Sequence, residues 1–155
     1  MKKTLIAYFT RTGITKKLAQ DTAKQTGADL FAIEPVKEYS SSYLICVGQA
    51  KLENLQNARP AIKAKPQNLQ DYDTIVVMFP IWWFTCPNII LTFLEENDLS
   101  GKTVIPVCTY GSSGKGSSEK AMTAVCKNAD FKPCIEAIGL KDKAVAAIAA
   151  AIKEA

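Results

Sequence analysis

Thr4-Leu5-Ile6-Ala7-Tyr8-Phe9-Thr10-Arg11-Thr12-Gly13-Ile14-Thr15 passes from an unbroken apolar run into a hydroxyl-rich turn around a glycine. The apolar half suits a strand buried on both faces, as in a parallel sheet. Residues 16–26 then set Leu18, Ala19, Thr22 and Ala23 on one helical face, and Gly27 stands where a helix ends. The strand therefore runs straight into a helix start. Several N–H groups there lack intrahelical acceptors and the macrodipole is positive, so a phosphate accepts charge-assisted hydrogen bonds worth roughly 1.5–3 kcal/mol each. Thr10, Thr12 and Thr15 add hydroxyl donors, and Gly13 permits a close backbone approach. One threonine would serve simply as an N-cap; three hydroxyls around a glycine form a phosphate cradle.

Outward from this stretch, strand and helix signals alternate, which predicts a doubly wound parallel α/β sheet. Residues 30–33 form a second short strand, and 43–55 a helix with Leu44, Val47 and Ala50 as its apolar positions. A link punctuated by Arg59-Pro60 and Lys65-Pro66 leads to the apolar run 74–79, typical of a central parallel strand. Pro87 opens a helix that turns Ile90, Phe93 and Leu94 to one side before Gly101. Residues 103–108 follow, with Pro106 predicting a local break in the ladder. Ser117 and Ser118 cap a helix with Ala121, Met122, Val125 and Cys126 inward. Residues 133–138 make the last strand and 143–153 the last helix, whose stripe of Val145, Ile148 and Ile152 reads as a core face. No linker or repeat divides residues 1–155, so one domain is expected.

Composition narrows the chemistry. The chain has no histidine, which excludes Ser/His/Asp and Cys/His nucleophiles and leaves a bound cofactor to carry any reaction. Its 5 cysteines are scattered without a C-x-x-C pair, so neither a disulfide framework nor a metal site is indicated. Cys86 and Cys108, near the inferred site, read as packing residues. The net charge of +4 comes almost wholly from dispersed lysines, without the arginine and aromatic clustering of nucleic-acid readers. No apolar run reaches the ~18 residues of a membrane span, and Met1-Lys2-Lys3 enters a strand directly. A cytoplasmic protein without membrane insertion is the expectation.

In an open parallel sheet, ligands sit beyond the carboxyl ends of the strands where strand order reverses. Three segments meet there: residues 10–15; Pro80, Ile81, Trp82, Trp83, Phe84 and Thr85 before Pro87; and Thr109, Tyr110, Gly111, Ser112 and Gly114. Two adjacent tryptophans at a strand end offer a flat aromatic surface, although one could plug the sheet and the other cover a helix. A planar phosphorylated ligand fits the three segments together.

The motif Thr10-Arg11-Thr12-Gly13-Ile14-Thr15 is similar to the flavodoxin phosphate-loop signature, and Pro80-Ile81-Trp82-Trp83 with 103–114 resembles the flavin-ring loops of short bacterial flavodoxins. The resemblance covers essentially the whole chain. It implies a five-stranded sheet in order 2-1-3-4-5, helices on both faces, and FMN as cofactor. Thr10, Arg11, Thr12, Gly13, Ile14 and Thr15 would hold the phosphate, with Arg11 reaching it or the ring edge. Trp82 and Trp83 would border the isoalloxazine, and residues 109–114 its pyrimidine edge. Ile14, Phe84 and Ser112 stand where relatives often carry Asn, Gly and Gly. The resemblance further implies that a carbonyl after the third strand turns toward the flavin N5 at a glycine. With none between Pro80 and Pro87 and Phe84 at the expected hinge, two-electron exchange is favoured over one-electron shuttling.

Other chemistries on this topology fail by inspection: no cysteine is followed six positions later by arginine, Phe79 replaces a phospho-acceptor aspartate, and Gly13 is not followed by Lys. Three functions remain open: an electron carrier working with a redox partner protein, an NAD(P)H-dependent FMN reductase of quinones or similar small acceptors, and a flavin-free relative.

Overall fold

The computed structural model describes residues 2–111, 113–138 and 141–155. Strands β1 (Thr4–Tyr8), β2 (Asp29–Ala32), β3 (Thr74–Pro80), β4 (Thr103–Thr109), β5 (Asp130–Phe131) and β6 (Ile135–Ala137) alternate with helices α1 (Ile14–Thr26), α2 (Tyr43–Gln56), α3 (Asn88–Glu96), α4 (Ser118–Val125) and α5 (Lys141–Glu154). All pairings between these strands are parallel, in the order β2-β1-β3-β4-β5, with β6 beside β4. Thr4 to Tyr8 face Thr74 to Met78 in register, so β1 and β3 meet at the centre.

Period-two alternation sends side chains to two cores. Leu5, Ala7, Ile75, Val77, Phe79, Val104 and Cys108 join α3 and α4 through Ile89, Ile90, Phe93 and Met122. Ile6, Tyr8, Val76, Met78, Ile105 and Val107 meet Leu18 and Ala19 of α1 and Val145 and Ile148 of α5. The stripe on the last helix is thus a core face, with Ile152 half-buried at its end. Gly27 ends α1 at φ 76°, a left-handed cap whose N–H donates to the Ala23 carbonyl at 2.8 Å.

Three expectations need correction and a fourth, at Pro106, needs narrowing. On α2 the inward residues are Cys46 and Ala50, whereas Leu44 is exposed. The strand expected over 133–138 is reduced to β6, and a separate β5 precedes the expected range, with Lys132 N–H still bonded to β4 and 133–134 outside the ladder between the two. The ladder break expected near Pro106 is present on one side of its strand only, where the partner changes from β5 to β6, while the pairing with β3 is continuous. Within β4, Thr103 and Thr109 hydrogen-bond toward the β3 side while the Val104 carbonyl accepts from Lys132 N–H on the other. By alternation Pro106 faces the β5/β6 gap, so its missing N–H opens the gap in the neighbour. Finally, Ser117 occupies the α4 N-cap without a side-chain capping bond, and Ser118 is fully buried.

Candidate functional site

The loops after β1, β3 and β4 converge with the start of α1 and one wall of α2 around a cleft of about 740 Å³. In the first loop, Thr10 Oγ1 accepts the Gly13 N–H at 3.0 Å, folding the chain back at Gly13, whose φ is 97°. The first intrahelical bond runs from Lys17 N–H to the Gly13 carbonyl, so the N–H groups of Ile14, Thr15 and Lys16 precede the helical ladder. Thr15 Oγ1 shares a 2.9 Å hydrogen bond with Thr109 Oγ1, joining the first and third loops in the cleft wall.

The second loop is a two-residue hairpin. Trp82 N–H donates to the Thr85 carbonyl at 2.9 Å and Thr85 N–H to the Trp82 carbonyl at 3.3 Å. Between them Trp83 and Phe84 have φ of 53° and 63°. This is the signature of a type I′ turn, normally built from Asn and Gly. The lack of glycine therefore does not keep this loop out of left-handed backbone, as the sequence reading expects. The conformation is held from outside: Ser117 N–H donates to the Phe84 carbonyl at 2.9 Å, and a Cβ on Gly116 would lie 1.8 Å from that carbonyl oxygen. Gly116 carries no motif, and only the packing reveals why it must be glycine.

The tryptophans divide their work. Trp82 packs edge-on against Phe9 and Tyr39, with centroids 5.3 and 4.9 Å away, sealing the sheet's end. Trp83 is 41% exposed; its Nε1–H donates to the Val47 carbonyl at 2.9 Å and Lys51 Nζ sits 4.8 Å from its ring centroid. Both also line the cleft. Tyr39 O–H donates to Glu53 Oε1 at 2.6 Å, tying this aromatic group to α2; burial first, then Glu53, pushes the phenol far up. In the third loop Tyr110 O–H and Lys115 N–H donate to the Glu136 carboxylate at 3.2 and 3.3 Å. Desolvation, then Glu136, raises the Tyr110 phenol.

Of the expected residues, Thr10, Arg11, Thr12, Ile14, Thr15, Pro80, Ile81, Trp82, Trp83, Phe84, Thr109, Tyr110 and Gly111 line the cleft. Gly13, Thr85 and Gly114 shape loops but do not line it, and Ser112 lies outside the described residues. Ser113, within the expected 109–114 segment, also lines it, while Tyr43, Cys46, Val47 and Ala50 of α2, with Ala137, complete the wall and escaped the sequence reading. Cys86 and Cys108 are buried away from it, and burial pushes the Cys86 thiol up to about 12.

Among the described residues, the buried side-chain polar atoms without a partner are Arg11 Nε, Thr85 Oγ1 and Ser118 Oγ. All three belong to or adjoin these loops. With the free N–H groups of α1 and the aromatic wall, the donor set fits a ligand that is a phosphate at one end and a flat apolar ring at the other. Among the described residues no helix is long and apolar enough to cross a membrane.

No curated protein matches the sequence. A protein of Bacteroides eggerthii assigned as a flavoprotein is 33% identical over 99% of both chains and superposes with a TM-score of 0.87. A second, from Bacteroides uniformis, is also 33% identical, over 95% of this chain and 97% of that one, with a TM-score of 0.85. The FMN complex of a Lactobacillus acidophilus flavoprotein shares the fold at 19% identity, over 88% and 93% of the two chains, with a TM-score of 0.78. The flavodoxin family model matches residues 3–146, and with strand order, loops and nearly full-length coverage in agreement, this chain belongs to the flavodoxin family.

Proposed function

We propose that the cleft binds FMN and that the protein takes part in electron transfer. One observation carries this: the unpaired N–H groups at the start of α1 and the paired tryptophans border the same cleft. A Lactobacillus acidophilus flavoprotein of the same fold holds FMN, which supports the reading. The N–H groups of Ile14 and Thr15 and the hydroxyls of Thr10, Thr12 and Thr15 hold the phosphate. Trp82, Trp83 and Tyr110 border the ring and exclude water from it. When bound, FMN supplies one- and two-electron chemistry; the protein contributes position and electrostatics. The electrons come from a redox partner protein, or from NAD(P)H and then pass to a small acceptor such as a quinone.

The test is a fluorescence titration with FMN and riboflavin. Wild-type protein should prefer FMN, and Thr12→Ala combined with Gly13→Val should weaken FMN by roughly tenfold or more while leaving riboflavin nearly unchanged, because a donor is lost and the left-handed Gly13 is blocked. Equal losses for both ligands would put the phosphate elsewhere, and absence of FMN binding would end the proposal. Adding NADPH without air separates the two routes: bleaching of the flavin supports the reductase, and none supports the carrier.

A further inference from the structure

The chain contains two arginines, and they are satisfied very differently. Arg59 pairs with Glu95 and also donates to the Asn57 side chain and to the Asn57 and Ala58 carbonyls. Arg11 donates once, from Nη2 to the Ser41 carbonyl at 3.0 Å, while its buried Nε faces no acceptor among the described residues. None of the ion pairs among the described residues includes it. Yet it lines a cleft whose wall contains no aspartate or glutamate.

Its direction is informative. Ser41 immediately precedes the N-cap of α2, and the guanidinium carbon lies 6.0 Å from the Tyr43 ring centroid. From Tyr43 the cleft wall continues through Cys46, Val47 and Ala50, a smooth, uncharged surface. The phosphate donors are the N–H groups at the start of α1 and the hydroxyls of Thr10, Thr12 and Thr15, whereas the Arg11 guanidinium, rising from the same loop, turns away to the start of α2. One cleft thus has two centres that attract an anion, pointing to two different walls.

We infer that Arg11 and the α2 wall form a second subsite, separate from the phosphate cradle, for a small planar aromatic anion such as an aromatic carboxylate. The guanidinium fork presents paired donors to a carboxylate, and Tyr43 with the apolar α2 wall receives the ring. The inference rests on the flavin reading to the extent that the flavin phosphate occupies the α1 end.

Benzoate is the probe, with benzamide as its neutral counterpart. Titration is followed by tryptophan fluorescence on the protein without flavin and by the flavin visible spectrum on the FMN-loaded protein, so failure of FMN binding and failure of this subsite are read separately. Wild-type protein should bind benzoate roughly tenfold more tightly than benzamide, and Arg11→Met should erase that preference. Arg11→Lys should restore only part of it, because an ammonium lacks the planar fork. Tyr43→Ala, at a largely exposed position, should weaken benzoate with Arg11 intact. Benzoate binding equal in wild type and Arg11→Met, or none at millimolar concentration, would overturn the inference. Loss of FMN but not riboflavin binding in Arg11→Met would also overturn it, assigning the guanidinium to the flavin phosphate.

Discussion

Trp83 and Phe84 are the two residues whose backbone defies their side chains. Each left-handed conformation costs roughly 1–2 kcal/mol, and the hydrogen bond from Ser117 N–H to the Phe84 carbonyl, with Gly116 packed beneath it, supports the turn. Inverting the peptide between Trp83 and Phe84 would convert type I′ to type II′ and place Trp83 in a region open essentially to glycine alone. In such an inversion the steric cost would fall on Trp83, whereas the sequence places it on Phe84. Anaerobic photoreduction of the FMN-loaded protein should show little one-electron-reduced flavin, since the resemblance ties its stabilisation to that inversion. Trp83→Gly should raise its proportion more than Phe84→Gly does. Abundant one-electron form in the unmodified protein would return the reading to a conventional carrier. The hydroxyls and tryptophans of this site were legible because their residue types are unusual at a strand end. Gly116 was not, because its requirement comes from a carbonyl more than thirty residues away in the chain.

At the level of elements, the divided fifth strand carries a consequence for stability. The gap faced by Pro106 leaves Cys134 N–H without a strand partner, and Glu119 of α4 supplies one: its Oε2 accepts that N–H at 3.0 Å while Oε1 pairs with Lys115. The Lys115 ammonium, then the Cys134 N–H, holds the Glu119 carboxyl below the usual carboxylate range. A depressed folded-state value means the stabilisation is present above the unfolded carboxylate range and is lost as pH falls through the folded one. Glu119→Ala should cost about 1–2 kcal/mol in urea unfolding at pH 7 by orphaning the N–H. Glu119→Gln should cost less, and its difference from wild type should shrink as the pH drops below about 4. A difference unchanged with pH would show that the charge contributes nothing. The central strands were readable because burial on both faces leaves continuous apolar runs. The 2-residue β5 and 3-residue β6 leave almost no pattern, and the gap between them is set by Pro106 on another strand. The α2 wall was hidden for a related reason: Leu44 is as apolar as the residues that turn inward, and only the helix's tilt decides between them.

Across the whole molecule, order and strain are segregated. Both cores close over the sheet without a ligand, since Ile6, Val76, Val77, Met78, Ile105 and Val107 are fully buried in the protein alone. The unpartnered polar atoms and the left-handed Trp83 and Phe84 lie instead at or beside the carboxyl edge of the sheet. A ligand there should tighten one edge rather than create the fold, and the net charge of +4 should draw a phosphate to it. The flavin-free protein should therefore unfold cooperatively, and FMN at one hundred times its Kd should stabilise it by about 2.7 kcal/mol, raising Tm by about 5–10 °C. Riboflavin at the same concentration should do much less. Hydrogen exchange should resolve where the gain lies. Added protection is expected in residues 10–16, 82–85 and 109–117 and along α2 near Val47, with β1, β3 and β4 equally protected in both states. If FMN instead protected the central strands by as much as the loops, the flavin would be completing the core, and the separation between a finished scaffold and a strained binding edge would be wrong.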